Sequence, residues 1–289
     1  IRDIGNNYRV EEADAEGVFQ QIDSLSNNFA YDENIHAAYA IYSNKVGQIS
    51  FQTGLRAELT DLTTALLLTD LETPKNYTNL FPSAHVTWEV TEANQLQVSY
   101  SRRIERPRFR YLIPFFNFNN PQNIRGGNPD LDPEFTDAFE AGYIKSWPSA
   151  TLTSSIYYRN TQGVIQWISR VNQEGVTFRR PENLAIEEAY GLEFILDKDF
   201  TEWWKVNGSF NFFRNKIDGG NIGESLNSDT YTWTSRVNSQ MTLPGGTEFQ
   251  LMFNYRAPMQ VAQGRRLSIT TLDLGITRDI MKQQGTIGF

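Results

Sequence analysis

Apolar and polar residues alternate one for one through most of this 289-residue chain, and a period of two selects extended strands over helices. In GQISFQTGLRAELT, Ile49, Phe51, Thr53, Leu55, Ala57 and Leu59 share one face, and Gln48, Ser50, Gln52, Arg56 and Glu58 the other. Leu96, Val98 and Tyr100 repeat the pattern. So do Tyr231, Trp233, Val237, Met241 and Leu243 against Thr232, Thr234, Arg236, Asn238 and Gln240, and then Phe249, Leu251, Phe253 and Tyr255. Strands of about ten residues exceed the usual length of about 5 to 6 and match the about 9 to 11 that cross a bilayer at a tilt. Alternation alone also fits a soluble sandwich with one wet face.

The connections discriminate between the two. Tight turns are expected at Asn44–Gly47, Thr91–Asn94, Trp147–Ser149, Asp199–Glu202, Pro244–Gly246 and Lys282–Gly285. Between them lie long polar or Pro/Gly-rich excursions, roughly 60–79, 104–134, 160–187, 215–229 and 257–266. Strict alternation of short and long connections matches an outer-membrane barrel, with short periplasmic turns and long extracellular loops. Structureless loops beyond about 12 to 15 residues are uncommon in compact soluble domains. Trp88, Trp147, Trp203 and Trp204 fall near the short turns, where an aromatic girdle meets the headgroups.

The expected fold is therefore all-β, an antiparallel transmembrane β-barrel segment of about twelve long strands. They are placed at approximately 30–44, 47–60, 78–91, 94–104, 135–147, 149–160, 186–198, 202–215, 229–243, 247–257 and 266–281, with a partial strand from 285. That number closes a small barrel or makes one wall of a larger one.

Composition narrows the chemistry. There are no cysteines, so no disulfide, thiolate metal site or cysteine nucleophile exists. A net charge of -8 argues against nucleic-acid binding. Apolar runs such as Ala65–Leu68 are too short for a membrane-crossing helix, which leaves β-barrels untouched. Residues 1–10 carry no apolar signal-peptide core, so the chain reads as starting within a longer protein. His36 and His85 are isolated, with no nucleophile motif near either, and no enzyme is expected. Asp130, Asp132, Glu134 and Asp137 invite a calcium loop, but Pro129 and Pro133 break the required spacing. No metal or cofactor is expected.

One segment stands apart. Arg102–Arg110 holds five arginines in nine positions and leads into Tyr111, Phe115, Phe116 and Phe118, then into GGNPDLDPE. Strand polarity puts it at the extracellular rim, with Arg103 on the lumen face beside Ser99 and Ser101. Guanidinium groups bind carboxylates and phosphates in a fork, so the cluster could meet an anionic ligand, an internal plug or lipopolysaccharide. The plainer alternative is neutralisation of Glu105, Asp130, Asp132 and Glu134. Arg103, Arg106, Arg108, Arg110, Tyr111 and Asn128 are the candidate rim, ligand or plug contacts. The aromatic run is expected to pack the loop onto the barrel mouth, and Asn128 with the prolines to shape the chain before the next strand.

YSRRIERP at 100–107 and GNPDLDPEFTDAFEAGY at 127–143 resemble the Arg-x-x-Arg-Pro and Asn-Pro-x-Leu-x-Pro-Glu segments of TonB-dependent receptor barrels. The nearest likeness is to the outer-membrane β-barrel family common in Bacteroidetes, which is similar again at NNFAYDENIHAAYAIYSNKVGQISFQTGLRAE and runs in order through roughly 27–285. The resemblance implies a barrel of about 22 strands, with a plug domain, a TonB box and other N-terminal parts not contained in residues 1–289. This chain then forms a partial barrel domain in the cell outer membrane, surrounded by lipid. The implied activity is import of an unidentified solute, energised by the TonB complex acting on the plug. A passive porin or adhesion barrel would share every strand and loop feature.

Overall fold

A computed structural model of the chain describes residues 2–9, 11–22, 26–67, 70–115, 120–223, 226–280 and 285–289. Its strands are β1 (Arg2–Tyr8), β2 (Glu11–Ala13), β3 (Phe19–Gln21), β4 (Asn27–Val46), β5 (Ile49–Leu66), β6 (Leu71–Thr91) and β7 (Asn94–Glu105). After the short helix α1 (Phe109–Leu112) come β8 (Asn123–Arg125), β9 (Glu134–Trp147), β10 (Ala150–Val171), β11 (Thr177–Thr201) and β12 (Trp204–Asp218). The last are β13 (Ser228–Leu243), β14 (Thr247–Arg256), β15 (Met259–Gln260), β16 (Arg265–Arg266), β17 (Ile269–Ile280) and β18 (Gly285–Gly288). Among the described residues one 14-stranded sheet dominates, in the order β1-β4-β5-β6-β7-β9-β10-β11-β12-β13-β14-β17-β18, with β8 added parallel to β11. Neighbours along that path are antiparallel, an up-and-down meander of the kind that curls into a barrel wall.

Register carries each face across the sheet, because directly opposed residues point to the same side. Ala84 faces Tyr100, Tyr100 faces Phe139, Phe139 faces Tyr158 and Tyr158 faces Tyr190. Leu192 faces Phe212, Phe212 faces Trp233, and Phe253 faces Leu272. This apolar face stays uncovered: Leu55, Val98, Phe139, Ile156, Leu192, Leu251, Leu272 and Leu274 are all exposed. An uninterrupted apolar surface of this extent is covered by lipid. The opposite face carries Gln52, His85, Ser99, Glu140, Arg159, Glu193, Asn211, Arg236 and Asn254, and forms the polar lumen wall.

Aromatic residues bound the apolar band. At the short-turn end Trp88, Trp147 and Trp203 are exposed, and Trp204 donates its indole N–H to Ser239 Oγ at 3.0 Å. At the other end the Tyr100 and Phe139 rings lie 4.8 Å apart, and those of Phe212 and Tyr231 lie 6.0 Å apart. From Ala150 to Tyr158 β10 covers roughly 27 Å of strand. A tilt of about 40° reduces that to a height of about 21 Å, most of the apolar band of about 25 Å in such barrels. A Leu192→Lys substitution should cost about 2 kcal/mol in urea unfolding from lipid vesicles, whereas Glu193→Lys, one residue along and facing the lumen, should stay within about 0.5 kcal/mol.

All twelve expected strands are present, but the connections differ. The excursions expected at 60–79 and 160–187 are largely strand: β5 runs to Leu66 with β6 resuming at Leu71, and β10 and β11 nearly meet at Val171 and Thr177, whereas that at 215–229 is strand only to Asp218 and again from Ser228. Beyond the bilayer neither face must be apolar, so these extensions lose the period-two signal while keeping their ladder bonds. For the same reason β1, β2, β3 and β8 give little sequence signal. The turn expected at 282–285 lies outside the described residues up to Gly285, where β18 begins.

Candidate functional site

The loop between β7 and β9 folds inward over the lumen end of the wall. Its anchor is a buried apolar cluster of Phe29 and Tyr31 from β4, Leu62 from β5, Leu112 from α1, and Leu131. Phe109, Tyr111, Ile113 and Phe115 pack against it, together with Ile165 of β10. The Phe109 ring lies 6.1 Å from Tyr31 and 6.3 Å from Phe29, and Tyr111 meets Trp167 edge-on at 5.4 Å. The expected packing of the aromatic run therefore holds for Tyr111 and Phe115. Phe116 and Phe118 lie outside the described residues.

The Gly-Asn-Pro-x-Leu-x-Pro-Glu segment stitches this loop to strands on both sides. Gly127 N–H donates to Ile113 O at 2.9 Å and Asn128 N–H to Tyr111 O at 2.6 Å. A Cβ at Gly127 would sit 2.3 Å from Ile113 O, so only glycine allows the approach. Buried Asn128 donates from Nδ2 to Pro181 O at 3.0 Å, and its Oδ1 accepts the Asp130 N–H at 3.1 Å. Lys75 of β6 donates to Asp130 O, Leu131 O and Asp132 Oδ1 at 2.6 to 2.9 Å. Asn183 exchanges bonds with the Asp132 backbone and also donates to Gly163 O at 2.6 Å. Glu134 accepts the Ile165 N–H at 2.8 Å. Burial first, then the nearby Glu105 and Glu187 charges, hold the Glu134 carboxyl above the usual range against that bond.

Arg106 does similar work on the other flank. Its Nη2 donates to Glu58 Oε2 at 2.5 Å and to Thr60 Oγ1 at 3.0 Å, and its Nε donates to Tyr77 OH at 3.2 Å. Glu33 Oε1 lies 3.7 Å from the same Nε. Glu58 is only 2% exposed and is also paired with Arg56. Arg106 thus ties the loop to β4, β5 and β6 through charge-assisted bonds in a water-poor setting.

The remaining arginines of the run behave differently. Arg103 is exposed on the lumen wall, lining a cleft of about 470 Å³ with Ser99, Ser101, Glu140 and Arg159. Arg108 and Arg110 are exposed, and no acidic side chain among the described residues pairs with either. Arg110 lines a second cleft, of about 390 Å³, with Phe109, Ile113, Phe115, Arg125 and Trp167. The structure therefore joins Arg106, Tyr111 and Asn128 in the packed loop, and leaves Arg103, Arg108 and Arg110 facing solvent. Sequence reading missed Glu58, Lys75, Arg125, Trp167, Arg179 and Asn183. Extending the β10 and β11 alternation outward would have placed Trp167 and Arg179 on the lumen face that carries Tyr157 and Arg159.

Above the wall Glu182 gathers Arg180 Nε at 2.6 Å and Arg170 Nη1 at 2.9 Å. Burial opposes its ionisation, but the two arginine bonds outweigh burial and hold the carboxyl below the usual range. A depressed folded-state value contributes stability above the unfolded pKa that is lost as pH falls through the folded one. Hydrogen exchange at the β10–β11 tip should therefore rise below about pH 4, and this acid step should vanish in Glu182→Gln.

The two histidines cannot share a catalytic site. His36 opposes Leu59 on the lipid face, whereas His85 opposes Gln52 on the lumen face, 3.0 Å from Thr87 Oγ1. Among the described residues no group of three or more His, Cys, Asp or Glu is placed to hold a metal ion.

Residues 1–289 match the family described as "Outer membrane protein beta-barrel family". Among solved structures the chain is similar to a copper transporter, OprC, at 13% identity and a TM-score of 0.66, covering 97% of this chain and 45% of that one. It is similar to the siderophore receptor PiuA from Acinetobacter baumannii at 14% identity and a TM-score of 0.65, covering 92% and 39%. It is also similar to the ferric yersiniabactin uptake receptor FyuA from Yersinia pestis, at 16% identity and a TM-score of 0.59, covering 88% and 39%. At these identities the likeness is one of fold. The chain spans less than half the length of each.

Proposed function

Since the chain belongs to the outer membrane protein beta-barrel family along its whole length, we propose that it is the barrel wall of a TonB-dependent receptor that imports a solute across the outer membrane. The observation that supports this reading is the correspondence of nearly the whole wall to part of the fold of a copper transporter, a ferric yersiniabactin uptake receptor and a siderophore receptor. A polar lumen face and an inward-folded mouth loop, held by Arg106 and the Asn128 segment, supply the surface such a receptor presents to a plug and to its cargo. Arg103, on the lumen wall, is the plug contact in this reading, and Arg108 and Arg110 meet what arrives from outside.

The partners are outer-membrane lipid, a plug domain of the same protein, and the TonB complex acting through it. The Asn-Pro-x-Leu-x-Pro-Glu element at 128–134 supports assignment to the Bacteroidetes type of barrel. Uptake of a labelled solute by cells carrying the intact protein tests the reading. Import that stops when the proton-motive force is dissipated supports an energised receptor. Import at an unchanged rate identifies a passive barrel.

A further inference from the structure

We propose that the cleft between α1, β8 and β10 binds an anionic ligand with a flat apolar body, a carboxylate or phosphate on a ring. This deepens the import reading and rests on it for physiological sense, but its binding chemistry stands on three observations. The first is an unbalanced charge. Arg110 and Arg125 line the cleft, and Arg179 opposes Arg125 directly in the β8–β11 ladder. Among the described residues no carboxylate pairs with any of the three, in a chain whose net charge is -8. Like charges opposed on a ladder repel each other, and an anion between them removes that cost.

The second is an orphaned donor. Arg179 Nε is buried and has no hydrogen-bond acceptor among the described residues, although its guanidinium lies 5.5 Å from the Trp167 ring centre. A buried guanidinium N–H without an acceptor is costly. The third is the character of the walls. Phe109, Ile113, Phe115 and Trp167 line the cleft together with Arg110 and Arg125, and the volume of about 390 Å³ is that of a small-molecule site. The floor is rigid, because Gly126 N–H donates to Arg179 O at 3.1 Å and Gly127 N–H to Ile113 O at 2.9 Å. Apolar walls with a few fixed guanidinium groups select a ligand that carries both features, with the ring against Phe115 and Trp167 and the anion toward Arg110 and Arg125.

The test is calorimetric titration of the intact protein in detergent micelles with 2-naphthoate and with its neutral counterpart, 2-naphthalenemethanol. Naphthoate should bind at least about tenfold more tightly than the alcohol, the difference expected of one charge-assisted bond. Arg125→Ala should remove that difference, Arg125→Lys should retain part of it, and Arg278→Ala, at the short-turn end of β17 and away from the cleft, should leave it intact. Equal affinity for acid and alcohol, or unchanged naphthoate binding in Arg125→Ala, overturns the proposal. So does absence of naphthoate binding to the unmodified protein, the result expected where a plug carboxylate already occupies the arginines. Naphthoate binding without energised uptake of any solute sinks the import reading alone. Energised uptake without naphthoate binding sinks the cleft alone.

Discussion

Replacing Gly127 with alanine should release the mouth loop from the wall while leaving the membrane-spanning strands folded. The new Cβ would lie 2.3 Å from Ile113 O and 2.6 Å from Tyr111 O, both backbone atoms that cannot swing aside as a side-chain tip could. Relief requires the 126–128 strip to part from residues 111–113, which breaks the Gly127 to Ile113 and Asn128 to Tyr111 bonds together. The local cost should be at least about 3 kcal/mol, the upper end for overpacking in a rigid setting. Limited proteolysis should then cut within 106–133 many times faster than in the unmodified protein. Heat-modifiable gel mobility, which reports the barrel wall, should not change. Loss of both would show that the loop is needed for the wall to form.

Arg106→Ala should weaken the same loop from its other side. Removing the guanidinium strips Glu58, at 2% exposure, of the partner at 2.5 Å and leaves Arg56, itself largely exposed, as its remaining cation. Breaking a buried pair by deleting one member costs about 3 to 5 kcal/mol. Because Arg56 stays, the lower end applies. The double variant Arg106→Ala with Glu58→Gln should recover about half of that loss, since no unpaired buried charge then remains. Chemical denaturation of the barrel in vesicles measures both variants. Equal loss in single and double variants would show that Arg106 acts through Thr60 and Tyr77 rather than through charge.

These two residues mark what could be read from the sequence and what could not. The strands were legible because a bilayer forces one face to be apolar, and Leu192, Phe194 and Leu196 against Glu193 and Asp197 can be read with no fold in hand. Outside the bilayer that force disappears, and the tips carrying Trp167, Arg179 and Asn183 look like loop although they are ladder. The Arg-Pro and Gly-Asn-Pro segments were legible as a signature, but their work was not. Arg106 reaches Glu58 across 48 positions, and Asn128 reaches Pro181 across 53. Such partners are set by strand register, which a local pattern does not encode. Gly127 gives the clearest case, since a glycine two residues before a proline reads as a turn, whereas here a backbone passing too close for any Cβ requires it.

The chemistry of the mouth follows from the same division. Arginines with acidic partners, Arg106 with Glu58 and Arg180 with Glu182, hold the architecture. Arg110, Arg125 and Arg179, without such partners among the described residues, are the groups left to meet an anion. Sequence clustering pointed to the run 102–110, yet only Arg110 of that run reaches the apolar cleft. Arg125 lines it from β8, and Arg179 of β11 stands opposite Arg125 in the ladder.

Because the chain contains no cysteine, single cysteines can be placed along β11 without background. The most direct measurement is a spin-label scan of position 190 and positions 192–197 in lipid vesicles, comparing accessibility to molecular oxygen with accessibility to a water-soluble nickel complex. The barrel account predicts that labels at Tyr190, Leu192, Phe194 and Leu196 favour oxygen, and that labels at Glu193, Ile195 and Asp197 favour nickel. Equal access to the nickel complex at both sets of positions would contradict it.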